Sequence, residues 1–397
     1  DPALLTATLE KPARIATADK QMILGVPRET LPRENRVALT PGAVSVLVSR
    51  GHQVIVEHNA GADAQYTDKD YTDAGALIAY AAEEIFSRAE VIVKIAPLQE
   101  LELEWLTGKQ TVISAVHLGA LRPDFLQALV QKNITAIGFE FIQAKDGSLP
   151  IVQMISEIAG ICSIQIASEL LASSQGGKGL LLGGIAGVPP PTVTILGAGT
   201  VGYHAARTAL GLGATVRVLD EEVHQLKMLE DRLGRMVYTA VAQQNYIEHN
   251  VRKADVLIGA IHKPGQRTPC IVTEEMVASM REGSVIVDVS IDQGGCIETS
   301  RPTTHDNPTF EEYGVVHYCV PNISARVSRT ASIAISNILG PLLLKIGDYG
   351  GIKGALSLDD TIKSGIYVHH RHITRRSLAN MFGLNYMDID LLRAVNL

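Results

Sequence analysis

Short apolar runs alternate with stretches of helical pattern along almost the whole chain. In the first half QMILGVP, QVIVEH, VIVKIAP, TVISAVH and ITAIGFEFI are rich in β-branched residues and read as strands. PGAVSVLVSRG and FLQALVQKN lie between them and read as helices. Strands that alternate with helices build βαβ units and a mostly parallel sheet.

From Pro150 to Ser174 the pattern predicts one long helix, PIVQMISEIAGICSIQIASELLASS. A loop rich in glycine and proline follows, from Gln175 to Pro191. A second series then begins at Thr192: TVTILGAG, TVRVLD, MVYTAV, ADVLIGAI, SVIVDVS and GVVHYCV. Six strands in about 130 residues match the size of a dinucleotide-binding domain. The part from about Pro321 opens with another helical stretch, SRTASIAISNILGPLLLKIG, and is too short for a domain of its own. Its simplest packing returns it to the first half, giving two connections between the halves. The expected division is 1–152 with 321–397 in one domain and 153–320 in the other.

Composition narrows the class. A net charge of −7 with no basic tract argues against a nucleic-acid surface. Cys162, Cys270, Cys296 and Cys319 are scattered, form no CxxC, and read as free thiols in a reducing compartment rather than as a disulfide framework or a metal site. The longest uncharged stretch is broken by many glycines and three prolines, so it predicts no membrane helix. The first 21 residues lack a signal-peptide core and are expected to form a loose or partly helical arm. A soluble, cytoplasmic protein is the expectation.

The most informative turn is ILGAGTVG. Gly197-Ala198-Gly199-Thr200-Val201-Gly202 follows a β-branched strand and opens a helix, and a second strand ends on Asp220, eighteen residues after the last glycine. Gly197 permits the tight turn, Gly199 lets a pyrophosphate approach the backbone, and Gly202 lets helix and strand pack closely. Asp220 can accept hydrogen bonds from ribose hydroxyls, and Asp220-Glu221-Glu222 would repel a 2′-phosphate. The expected cofactor is NAD.

Four other positions carry candidate chemistry. Arg36 lies in the polar loop RENRVALTP. Lys94 interrupts the apolar VIVKIAP, His117 ends TVISAVH, and Asp292 ends the apolar run VIVDVSID. Ligands of parallel α/β sheets bind outside the carboxyl ends of strands, where the last three would lie. Each also has a structural explanation: a snorkelling lysine, a satisfied core histidine, a solvated arginine, an aspartate capping a turn. Together, two cations, an imidazole and a carboxylate beside a nicotinamide suit oxidation of a small amino or hydroxy acid. Asp288, inside its strand, reads as a structural acid with a local hydrogen-bond partner, and His305 as a loop residue.

These motifs resemble the alanine dehydrogenase family, which is related to the alpha subunit of the proton-translocating nicotinamide nucleotide transhydrogenase. The resemblance runs from about Ile23 to the end and rests on GVPRETLPRENRVALTPGAV, the lysine of VIVKIAP, the histidine of SAVHLGA, MISEIAG, ILGAGTVG with Asp220, VIVDVSIDQGGCIETSRPTTH and HYCVPN. It implies two Rossmann-like doubly wound α/β domains joined by long helices, the substrate domain discontinuous, with the site in the cleft, and a homohexamer. It implies that Arg36 and Lys94 hold the substrate carboxylate, that His117 is the acid/base, that Asp292 acts on water and ammonia beside the nicotinamide, and that Ser156 and Asn322 line the cofactor. The implied reaction is reversible oxidative deamination of L-alanine to pyruvate and ammonium with NAD.

Two departures are visible. The family usually reads ANMPGAVPRTST where this chain reads PNISARVSRTAS from Pro321, and VIVKIAP lacks the usual acid before its proline. Oxidation of a different amino acid, a saccharopine-type reaction, a hydride-passing transhydrogenase-like subunit and a non-catalytic NAD-binding regulator remain the alternatives.

Overall fold

A computed structural model describes residues 20–118, 121–263 and 267–395. The N-terminal arm expected from the sequence lies, up to residue 19, outside the described residues.

The first half supplies β1 (Ile23–Val26), β2 (Gln53–Glu57), β3 (Leu77–Ala79), β4 (Val91–Val93), β5 (Thr111–Ser114) and β6 (Thr135–Gly138). A second series follows: β7 (Thr192–Leu196), β8 (Thr215–Asp220), β9 (Tyr238–Val241), β10 (Val256–Gly259), β11 (Val285–Asp288), β12 (Thr309–Glu312) and β13 (Val315–Tyr318). The tail adds β14 (Ile366–His369) and β15 (His372–Ile373).

These strands form two sheets. The first has the order β15-β14-β6-β5-β4-β1-β2-β3 and the second β12-β13-β11-β10-β7-β8-β9. All pairings among β1–β6 are parallel, whereas β14 joins β6 antiparallel. The chain therefore returns from the second sheet to complete the first, and the fold is two doubly wound α/β domains, one of them discontinuous. In each sheet the winding reverses once, between β1 and β4 and between β7 and β10. Loops that leave the sheet at such a point diverge and open a crevice.

Two long helices tie the sheets together. Pro150–Leu170 begins with proline at its first turn, where no intrahelical N–H bond is lost. Ile151 enters the core of the first domain, and residues from Ile158 to Leu170 enter that of the second. Ser328–Asp348 places Ala331 and Ala334 in the second core and Ile335, Leu339, Leu343 and Ile346 in the first. By length and hydropathy Pro150–Leu170 and Ile323–Asp348 could cross a membrane. Their buried apolar residues instead pack into the two cores.

Within the second domain the long helix is seated by Gly160. A Cβ there would lie 2.4 Å from the Val201 carbonyl oxygen and 3.0 Å from the Ala205 nitrogen, so only glycine lets the long helix lie against the helix Thr200–Leu212. Ser156 lies one turn earlier on that long helix.

Four strands were not foreseen. β3 is only three residues, β12 alternates Thr-Phe-Glu-Glu on a sheet edge, β14 is a short buried run, Ile-Tyr-Val-His, in the tail, and β15 is two residues.

Candidate active site

The glycine turn caps the switch point of the second sheet. Gly197 has φ of 108°, and a Cβ on it would meet the Ala260 carbonyl at 2.4 Å. A Cβ on Gly202 would lie 1.9 Å from the Gly197 carbonyl. Around Gly199 nothing lies within 4 Å of such a Cβ. The turn is thus tight on its protein side and open at Gly199, above a 13-residue helix whose N-terminus has no side-chain cap. Unpaired N–H groups and the helix dipole favour a phosphate there. Asp220 accepts from the Ala198 N–H at 2.6 Å and from the Glu222 N–H at 2.8 Å, so its carboxylate is fixed at the rim of the turn. These residues fit a dinucleotide.

In the first domain the polar loop after β1 folds onto itself. Glu34 accepts from Arg36 Nε and Nη2, each at 2.6 Å, and both side chains are buried. Burial works against the Glu34 charge, but the guanidinium overcomes it and holds the carboxyl below its ordinary range. Arg36 Nη1 donates to Ser324 Oγ at 3.0 Å.

Ser324 belongs to the segment after β13, and Asn322 sits at its turn with φ 57° and ψ 45°. The left-handed region is open to asparagine more than to most residues. Asn322 makes three contacts: its N–H donates to Asp292 Oδ1 at 2.9 Å, its Nδ2 donates to Glu34 Oε2 at 2.9 Å, and its Oδ1 accepts from Ser324 Oγ at 3.3 Å. His305 lies in a loop, as expected, and burial lowers its pKa while the Asn322 backbone opposes the shift.

Asp292 is not on a strand end. β11 stops at Asp288, and Asp292 lies on the following 3-10 turn, Val289–Gln293. Asp288 builds that turn: its carboxylate accepts from Ser290 N–H at 3.0 Å and Cys296 N–H at 3.2 Å, bearing out the structural reading of this acid. Burial raises its pKa to about 6, opposed by Ser300, Cys296 and Ser290. Asp292 keeps a solvent-accessible face. Protein packed around the rest of its carboxyl still pushes its pKa up, while the Asn322 N–H, His117 and Arg36 oppose the shift.

His117 lies three residues beyond β5 and is exposed, with φ of 48°. A non-glycine residue in that region needs support. Glu140 supplies it, accepting from the Val116 N–H at 2.9 and 3.0 Å and from the His117 N–H at 2.9 Å. The sequence hid Glu140 inside the apolar run ITAIGFEFI.

Lys94 is placed differently from Arg36. It is fully buried, with Nζ 2.7 Å from both oxygens of Glu102 and 3.6 Å from Glu29 Oε2. Glu29 in turn accepts from the Ile95 and Ala96 N–H groups, and burial lifts its pKa to about 7 against the pull of Lys94. A lysine snorkelling at a sheet edge is thereby overturned: β4 is interior, and the ammonium is counter-charged inside. Asn322 contacts Asp292 directly, Arg36 reaches Asn322 through Glu34 and Ser324, and the charges of His117 and Arg36 act on Asp292, whereas Lys94 stands apart with Glu102 and Glu29.

Two doubly wound domains, one carrying a glycine turn of the dinucleotide-binding kind and the other a charged loop cluster, define a Rossmann-like α/β protein. The chain belongs to the alanine dehydrogenase/PNT family: the family's N-terminal domain matches residues 25–159 and its C-terminal domain residues 163–376. It is 43% identical over 366 residues to an alanine dehydrogenase of Methanococcus maripaludis, covering 92% of this chain and 98% of the relative. It is 42% identical over 371 residues to that of Bacillus subtilis, covering 93% and 97%. A solved L-alanine dehydrogenase superimposes with a TM-score of 0.86 at 40% identity, over 91% of this chain and 99% of that one. A transhydrogenase from Sinorhizobium meliloti shares the fold, with a TM-score of 0.75 at 24% identity over 89% and 99%.

Proposed function

We propose that the chain catalyses the reversible NAD-dependent oxidative deamination of L-alanine to pyruvate and ammonium. The observation that carries this reading is the near full-length similarity to proteins named alanine dehydrogenase, at about 40% identity. We assign the substrate domain to 1–152 and 321–397 and the cofactor domain to 153–320. A cytoplasmic homohexamer belongs to the same proposal, from the family resemblance.

Gly197, Ala198, Gly199, Thr200, Val201 and Gly202 would hold the pyrophosphate, Asp220 the adenosine ribose, and Ser156 and Asn322 the nicotinamide side. When bound, NAD supplies the acceptor for the hydride of the substrate Cα. Arg36 binds the substrate carboxylate, and Lys94 assists once its ion pair with Glu102 relaxes. His117 is reachable from solvent and takes and returns protons as water adds to the substrate iminium and the carbinolamine collapses to pyruvate. Asp292 faces the positive charge that develops at the substrate nitrogen, fixed in advance by the Asn322 N–H.

In the altered segment after β13, Arg326 turns its guanidinium to Glu169 on the long helix, at 2.7 Å, rather than to Asp292. The test is a rate profile with NADH, ammonium and pyruvate beside glyoxylate, 2-oxobutyrate and 2-oxoglutarate. Fast turnover of pyruvate above the rest is expected. Turnover of another keto acid alone moves the substrate, and silence on all with NADH bound overturns the enzymatic reading.

A further inference from the structure

Arg36, Glu34, Asn322 and Ser324 form a closed ring in which every hydrogen bond has a consistent direction. Arg36 donates to Glu34 and to Ser324; Ser324 donates to Asn322 Oδ1; Asn322 Nδ2 donates to Glu34. Ser324 has no exposed surface, and Arg36 is 4% exposed. A guanidinium presents its donors along a limited number of edges. Glu34 covers the edge formed by Nε and Nη2, which leaves an incoming carboxylate the Nη1/Nη2 edge, and Nη1 already donates to Ser324.

The two partners of Arg36 are unequal. Glu34 holds Arg36 through two bonds between opposite charges, whereas Ser324 is a neutral acceptor with one, so the Ser324 contact gives way first. Its hydroxyl loses little, because it keeps Asn322 Oδ1.

We propose that Ser324 is a positioning residue of the substrate clamp: its hydroxyl holds Arg36 Nη1 in the free protein and yields that donor to the carboxylate of a small 2-oxo or 2-amino acid. Ser324 therefore sets the affinity for the carboxylate by competing with it. Since Asn322 also donates to Asp292 Oδ1, carboxylate arrival at Arg36 is felt at Asp292 through one short segment. The inference rests on Arg36 being the carboxylate site.

The test is the KM for pyruvate in Ser324→Ala and Ser324→Cys, with Arg36→Lys beside them. Both Ser324 variants leave Nη1 without its acceptor in the free protein, so pyruvate regains what the bond was worth. KM for pyruvate is expected to fall about fivefold in each, while KM for NADH does not follow. Cysteine keeps the volume and is a weak acceptor, which separates the lost bond from a cavity. A KM that rises or stays fixed in both variants overturns the competition. Arg36→Lys is expected to raise KM at least about tenfold, since the fork is lost. If it does not, the assignment of Arg36 itself fails; if it does while the Ser324 variants show no fall, only the competition fails.

Discussion

The Lys94 ammonium lies 2.7 Å from both carboxylate oxygens of Glu102, with side-chain exposures of 0% and 4%. A buried lysine whose partner is removed keeps its charge without compensation. Glu102→Gln is expected to lower unfolding stability by about 3 kcal/mol in urea titration, with Glu29 limiting the loss. A loss below about 1 kcal/mol would show that the pair is not what holds Lys94 inside.

Glu29 gives a pH signature. Burial raises its pKa from 4.5 to about 7, so the folded chain holds a proton there that the unfolded chain releases. Between pH 4.5 and 7 the folded state therefore binds more protons at this site, and its contribution to stability falls as pH rises. Relative to the native chain, Glu29→Gln should gain stability across that window, reaching about 1–3 kcal/mol above pH 7. Thermal midpoints measured from pH 5 to 8 check it; parallel curves for the two proteins would contradict the assignment.

Asp292→Asn keeps the shape of the turn that Asp288 organises and removes the charge. Turnover should fall at least about a hundredfold while NADH affinity stays within about threefold, as stopped-flow rates and NADH fluorescence would report. Near-normal turnover would remove Asp292 from the chemistry.

Asp220→Ser removes the charge at the rim of the glycine turn. The ratio of kcat/KM for NAD to that for NADP should narrow at least about tenfold. An unchanged ratio would mean that the ribose is read elsewhere.

Much of this was legible in the sequence, for reasons that differ by residue. The glycine turn could be read because, at fixed offsets, Gly197 and Gly202 answer backbone demands that only glycine meets and Gly199 leaves the turn open. The interior strands could be read because both faces are buried and the run is continuously apolar. β12 and β15 lie on sheet edges and need no such run, so nothing marks them. Lys94, His117 and Asp292 stood out as polar residues in or at the end of apolar runs, and Arg36 as a cation in a polar loop. Their partners did not: Glu102 sits in ELELEW, one acid among several, Glu34 is one of several charges in a polar loop, and Glu140 acquires its role from the segment after β5, while Asn322 was visible only through the family resemblance. Ser324 was visible as a departure from the family pattern, but its contact with Arg36 needs the chain to return from the second sheet to the first.

On the proposed function, this site moves hydride from the Cα of L-alanine to bound NAD. The most direct measurement is a single turnover with Cα-deuterated L-alanine and NAD, followed by mass spectrometry of both products. One deuterium in the reduced cofactor for each pyruvate formed is the expected result. Reduced cofactor without deuterium, or label lost to solvent with no reduction, would contradict it.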